Sequence, residues 1–134
     1  MENALTRYKN QINAIVANND GMALGAIQAL QEQKLVGKVF VAGADADLAA
    51  VKDIQRGRQS MTVLKGIKPL AEAAVRGAVA LARKQPLKTD AKMDNGLKEI
   101  PVINTPVERV VKTNIQQVII DSGFHTQAAI GGAT

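Results

Sequence analysis

The sequence predicts an α/β fold: a three-layer sandwich in which helices cover both faces of a mostly parallel sheet. Three observations carry that prediction. Two strand–loop–helix patterns follow one another between residues 13 and 57. Their strands, residues 13–17 and 39–42, and a third at 61–64, are apolar nearly throughout, as in strands buried on both faces of a parallel sheet. Polar residues gather just after each strand, at Asn19, Asp45 and Lys65, where ligands sit in sheets of this kind.

The elements follow in order. Residues 1–9 read as a helix that opens without a clear cap. Residues 13–17 form the first buried strand. Asn18, Asn19, Asp20 and Gly21 make a turn able to cap the helix at 22–33, which sets Met22, Ala26, Ile27 and Leu30 on one face. Gly37 ends that unit, and the second strand follows at 39–42. Residues 43–47 form a loop capping a helix with Leu48, Val51 and Ile54 as its stripe, stopped by Gly57. The third strand, 61–64, ends beside Lys65. Gly66 and Pro69 then break the chain. Residues 70–83 form an Ala-rich helix aligning Leu70, Ala74, Ala78 and Leu81, and residues 84–96 read as a loop. Residues 100–111 look extended but contain Pro101 and Pro106, which suits edge or crossover segments. A short helix is expected at 114–121 and a frayed tail at 127–134.

Composition narrows the function. The chain of 134 residues has one domain's length, with 46% hydrophobic and 22% charged residues, the ordinary globular range. Aromatics are 2%, only Tyr8, Phe40 and Phe124, too few for the stacking platforms of single-strand nucleic-acid binders. Net charge is +5, but the 17 Lys and Arg are scattered and group at most in pairs, which reads as a solvated surface rather than a nucleic-acid footprint. Without Cys there are no disulfides or zinc-thiolate sites. There is no run of 18 apolar residues, and the first residues do not form a signal peptide. Either the protein is cytosolic or its export signal is not part of this chain.

Candidate motifs each carry a plain alternative. Asn19 offers donor and acceptor atoms suited to hydroxyl groups; the alternative is a turn and cap, and both hold if Asn19 serves a ligand while Asp20 caps. Asp45-Ala46-Asp47 invites a metal, but Ala49 and Ala50 occupy positions where a calcium loop needs a ligand and a glycine. Asp45 instead suits two sugar hydroxyls, a charge-assisted contact, and Asp47 suits the cap. Lys65 is either a donor to a hydroxyl or ring oxygen or an ordinary surface Lys. Gly21 and Gly25 do not form a dinucleotide fingerprint, and no nucleophile motif accompanies His125, read here as a surface residue.

Residues 16–20 with 25–30, then 43–49 and 59–65, then 95–101 and 121–125, resemble in order and spacing the C-terminal lobe of type I periplasmic sugar-binding proteins, nearest to the D-xylose-binding branch of ABC importers. The resemblance covers nearly the whole chain. It implies a periplasmic-binding-protein type I lobe, incomplete, with a pentose as ligand, Asn19, Asp45 and Lys65 as its contacts, and no cofactor, metal or catalytic residue. The sequence departs at Ala44, Leu64 and Gly66, where the xylose binders usually carry Gln, Tyr and Pro, neighbours that shape pocket and hinge. Family chains are more than twice as long, with an export signal, an N-terminal lobe and sugar-stacking aromatics. The resemblance therefore implies a fragment: an internal-start product, a processed piece or a gene remnant. Met1 then falls inside a family helix, and residues 70 to about 100 belong against the missing N-terminal lobe. It further implies an extracytoplasmic location, a membrane permease or sensor kinase as partner, and self-association through faces the family buries.

Two functions follow as expectations. One is the sugar-binding component of an ABC transport system. The other is an interaction lobe of a sugar-sensing complex with little affinity alone. The effector half of a sugar-responsive repressor comes third, without any helix-turn-helix headpiece. An enzyme comes last, since no acid–base or nucleophile constellation is present.

Overall fold

The computed structural model describes residues 1–131. They form two compact units. The first comprises residues 1–64 and 108–131, and the second residues 65–107.

In the first unit, α1 (Glu2–Arg7) buries only Leu5, and the chain turns through the left-handed pair Lys9 and Asn10. Strand β1 (Ala14–Val16) pairs in parallel with β2 (Phe40–Ala42), in the register Ala14–Phe40 to Val16–Ala42. Helix α2 (Asp20–Glu32) lies between them in sequence. It buries Ala23, Ala26, Ile27 and Leu30, the i, i+3, i+4, i+7 spacing of one helical face. Ala23, Ile27 and Leu30 pack with Leu5, Val39 and Val41 into one apolar cluster. Met22, expected on that face, is 58% exposed, because it lies about a third of a turn from the Ala23–Ile27 line.

Helix α3 (Leu48–Gln55) buries Ala50, Val51 and Ile54. It stops at Gly57, whose φ of 75° is strained for a residue with a side chain. A parallel bridge from Ala42 to Met61 links β2 to the start of β3 (Thr62–Lys65), which pairs with β6 (Val107–Val110). A single 3-10 turn (Lys112–Asn114), a π-helical turn (Gln116–Ile120) and α5 (Gln127–Ile130) complete the unit. Val51, Ile54, Leu64, Val110, Ile119 and Ile130 form its second apolar cluster.

The α/β class and the parallel sheet stand. Several details differ from expectation. The first two strands are not buried on both faces: Val16 of β1 is 83% exposed and Phe40 of β2 47%, because side chains alternate between faces and β1 pairs only with β2 among the described residues. The expected tail forms α5 instead, with Ile130 3% exposed and Thr126 accepting at the cap from the Ala129 amide at 3.2 Å; residues 132–134 lie outside the described residues. The short helix near 114–121 takes the wider π turn, burying Val118 and Ile119.

In the second unit, α4 (Ile67–Ala82) starts before Pro69. A proline in the first helical turn removes a donor that has no partner inside the helix, so no break results. Residues 84–96, expected as loop, contain β4 (Ala91–Asp94), which pairs antiparallel with β5 (Glu99–Val102). Asn95 Oδ1 closes the hairpin by accepting from the Leu97 and Lys98 amides at 3.1 and 3.0 Å. Pro101 sits in β5 as an edge residue. Ala73 is the only buried residue of α4; Leu70 and Leu81 of its expected stripe stay exposed.

Candidate functional site

The carboxyl ends of β1 and β2 meet in a buried polar knot centred on Asp20, the first residue of α2. Its side chain is inaccessible to solvent. Oδ1 accepts from Gln59 Nε2 at 2.9 Å. Oδ2 accepts from the Asp47 amide and from the Thr62 hydroxyl, both at 2.9 Å. Three donors thus converge on one carboxylate, which a buried charge needs if it is to persist. Burial still dominates: desolvation pushes the Asp20 carboxyl above its ordinary pKa, the three hydrogen bonds pull it down, and the negative charge of Asp47 adds to the rise. Gln59 Nε2 also donates to Met61 O at 3.0 Å. A Cβ on Gly43 would collide with Asp20 Oδ1, so glycine there is what lets the carboxylate approach the strand end.

The knot grips residues 44–47. Ala44 O accepts from the Asp20 amide at 2.8 Å, and the Asp45 amide donates to Val63 O at 2.8 Å. The Ala46 amide donates to Thr62 Oγ1 at 3.3 Å. Ala46 O lies 2.8 Å from His125 Nε2; a carbonyl only accepts, so Nε2 is the protonated nitrogen. Asp45 and Ala46 have φ of 102° and 55°. Two successive non-glycine residues at positive φ cost roughly 1–3 kcal/mol each and persist only where surrounding bonds hold them.

Each expected contact residue has a definite place. Asn19 is exposed and is itself the cap of α2: its Oδ1 accepts from the Met22 amide at 2.9 Å. The expected division, Asp20 as cap and Asn19 as ligand residue, is corrected on the first count, since Asp20 faces the knot. Asn19 Oδ1 must point at an N–H, which fixes the amide orientation and turns Nδ2 elsewhere. Asp45 is half-buried on the gripped loop. Asp47 occupies the cap position of α3 but makes no side-chain cap bond; its amide serves Asp20 instead. Lys65 is exposed, ends β3, and is the first residue of the second unit. The structure draws Asn19 and Asp45 together through the neighbouring Asp20, by the Asp20 amide and carboxylate on residues 44 and 47. His125 is not a free surface residue: it is half-buried, and its ring meets Phe124 edge-on at 4.7 Å between centroids.

Sequence reasoning missed the knot. Asp20, Gln59 and Thr62 lie up to 42 positions apart, and none carries a local signature. The one available signal was Gly43, a glycine at a strand end, which often marks a close backbone approach.

A family model described as a periplasmic binding protein domain matches residues 1–86. The chain is 48% identical over 130 residues to a D-xylose-binding periplasmic protein of Haemophilus influenzae, and 49% identical over 131 residues to one of Escherichia coli. Each match covers 97% of this chain and 39% of the relative. Among solved structures, a carbohydrate transporter solute binding protein from Chloroflexus aurantiacus, in complex with D-glucose, superposes with a TM-score of 0.85 at 37% identity, over 96% of this chain and 38% of that one. The chain therefore spans well under half the length of the relatives it matches. With a family model matched over more than half of its residues and nearly half of its positions shared with two such relatives, the chain belongs to the periplasmic binding protein domain family.

Proposed function

We propose that the chain is part of the C-terminal lobe of the sugar-binding component of an ABC importer, that its ligand is D-xylose or a related pentose, and that Asn19, Asp45 and Lys65 contact the sugar. The observation that carries this reading is the identity of 48–49% with two D-xylose-binding periplasmic proteins over 97% of the chain. The positions agree with it: Asn19 and Asp45 each follow their strand by three residues and Lys65 is the last residue of the next, all at strand carboxyl ends. The chemistry agrees too. A carboxylate accepts from two hydroxyls, an ammonium and an amide donate, and no step requires a nucleophile, so the role is binding without catalysis. In this reading the protein works outside the cytoplasm beside a membrane permease. Residues 70–100 pack against a second, N-terminal lobe.

Calorimetric titration with D-xylose, with ribose and glucose as controls, tests the reading. Xylose-selective binding that Asp45→Ala weakens by about 1.5–3 kcal/mol, the worth of a hydrogen bond to a charged group, is expected. Unchanged affinity in Asp45→Ala would remove that residue from the site.

A second reading, an interaction lobe of a sugar-sensing complex with little affinity alone, is favoured by one observation. Helix α4 exposes Ile67, Leu70, Val75 and Leu81 by 52–69% each, a face suited to a partner. Absence of sugar binding, together with a dimer on a sizing column, would select it.

A further inference from the structure

We propose that Asp20, Thr62 and His125 form a clamp that sets the direction of the Asp45 side chain, making them positioning residues for the sugar contact; this rests on the reading of Asp45 as that contact. Apart from the first bond of α3, which Asp47 O accepts from the Val51 amide, five polar contacts fall on the backbone of only four residues, 44–47. They arrive from three separate parts of the first unit: the start of α2, the Met61–Val63 stretch, and His125, which lies 79 positions from Ala46 in sequence. A connection this short needs only its ends held for the strand and helix to join. Here every residue of it is held, and the two at its centre have positive φ without being glycine. Left alone, Asp45 and Ala46 would relax to negative φ, and that rotation would swing the Cα–Cβ bond of Asp45 away from its present direction. The clamp is thus more than the loop's connectivity requires, and what it fixes is the side chain the loop presents.

The carboxylate and hydroxyl work as a pair. Thr62 Oγ1 donates to Asp20 Oδ2 and accepts from the Ala46 amide, so one hydroxyl ties the carboxylate to the centre of the loop. His125 holds the opposite side of the same residue through Ala46 O. All of these residues belong to the first unit.

The test replaces Thr62 by Val, which keeps the shape and deletes the hydroxyl, and by Ser, which restores it. Amide hydrogen exchange of the 134-residue chain is followed at Ala46 and Asp47, with Ile27, Leu30 and Ile54 as internal references. Thr62→Val should speed exchange at Ala46 and Asp47 about tenfold, the sum of two modest hydrogen bonds, leave the references within about twofold, and be reversed by Thr62→Ser. Equal acceleration throughout the unit would reduce the knot to general stability and overturn the proposal, as would unchanged exchange at 46 and 47. His125→Phe, at a half-buried position, gives the same local test if Thr62→Val does not fold. Xylose titration supplies the second readout. Thr62→Val should weaken binding about tenfold, and adding it to Asp45→Ala should weaken binding no further. Wild-type affinity in Thr62→Val beside weak binding in Asp45→Ala overturns the clamp alone. Wild-type affinity in Asp45→Ala overturns the sugar reading of Asp45 and the clamp's purpose with it. A chain that binds no xylose leaves the exchange result to decide.

Discussion

Asn19 combines two tasks that one substitution can separate. Its Oδ1 caps α2 through the Met22 amide, and its Nδ2 is the group proposed to donate to sugar. Asn19→Asp keeps the cap oxygen and removes the donor. Thermal unfolding should show stability close to wild type, whereas Asn19→Ala should lose about 1 kcal/mol; xylose affinity should fall in both. Equal stability in the two variants would deny the cap its role. Asp20 makes a second residue-level prediction. Its carboxyl is held above its ordinary pKa of 3.8 by burial, so just above that pH the folded state binds a proton that the unfolded chain has already released. Stability contributed by this residue therefore falls as pH rises through that window and is regained on acidification. Denaturant midpoints of wild type and Asp20→Asn, taken from neutral pH towards pH 3.8, should show wild type gaining relative to the variant; a constant difference would mean that Asp20 does not titrate differently on folding.

Among the elements, burial separates those that build the core from those whose apolar side chains stay exposed. Helix α2 puts Ala23, Ile27 and Leu30 fully into the core, while α4, three residues longer, buries only Ala73. The β4–β5 hairpin is held mainly by its own ladder, the Asn95 turn and an exposed Lys92–Glu99 ion pair at 3.0 Å, a contact of small worth in water. Local opening follows burial. Exchange measured on peptides should therefore be fast in α4 and the hairpin and slow in α2 and α3; protection of α4 equal to α2 would reveal a partner already covering it. The same contrast explains what the sequence disclosed. The periodicity of α2 and α3 was readable because their apolar faces meet the core. The stripe of α4 had the same appearance, yet it is a face without a cover, and periodicity does not say which faces are covered. The β4 strand was missed because Ala91-Lys92-Met93-Asp94 has the polarity of a surface hairpin, and pairing there is local and solvent-facing.

At the scale of the whole molecule, order along the chain was legible and long-range convergence was not. The parallel sheet, the strand-end positions of Asn19, Asp45 and Lys65, and the family resemblance all depend on residues near one another in sequence. The knot depends on Asp20, Asp47, Gln59 and Thr62 meeting across separate segments, and no local pattern records such a meeting. Division of the chain into two units follows the same logic. Among the described residues the second unit buries little beyond Ala73, and a linear sequence does not reveal that its apolar stripe stays exposed. The positive φ of Asp45 carries one consequence for how the proposed sugar site can diverge. Side chains that tolerate such a backbone are few, chiefly Gly, Asn and Asp. The mutational spectrum at position 45 is therefore filtered by the main chain before any sugar is encountered. A library aimed at new ligand preferences would do better to vary positions whose backbone admits any side chain, and to leave this one as it stands.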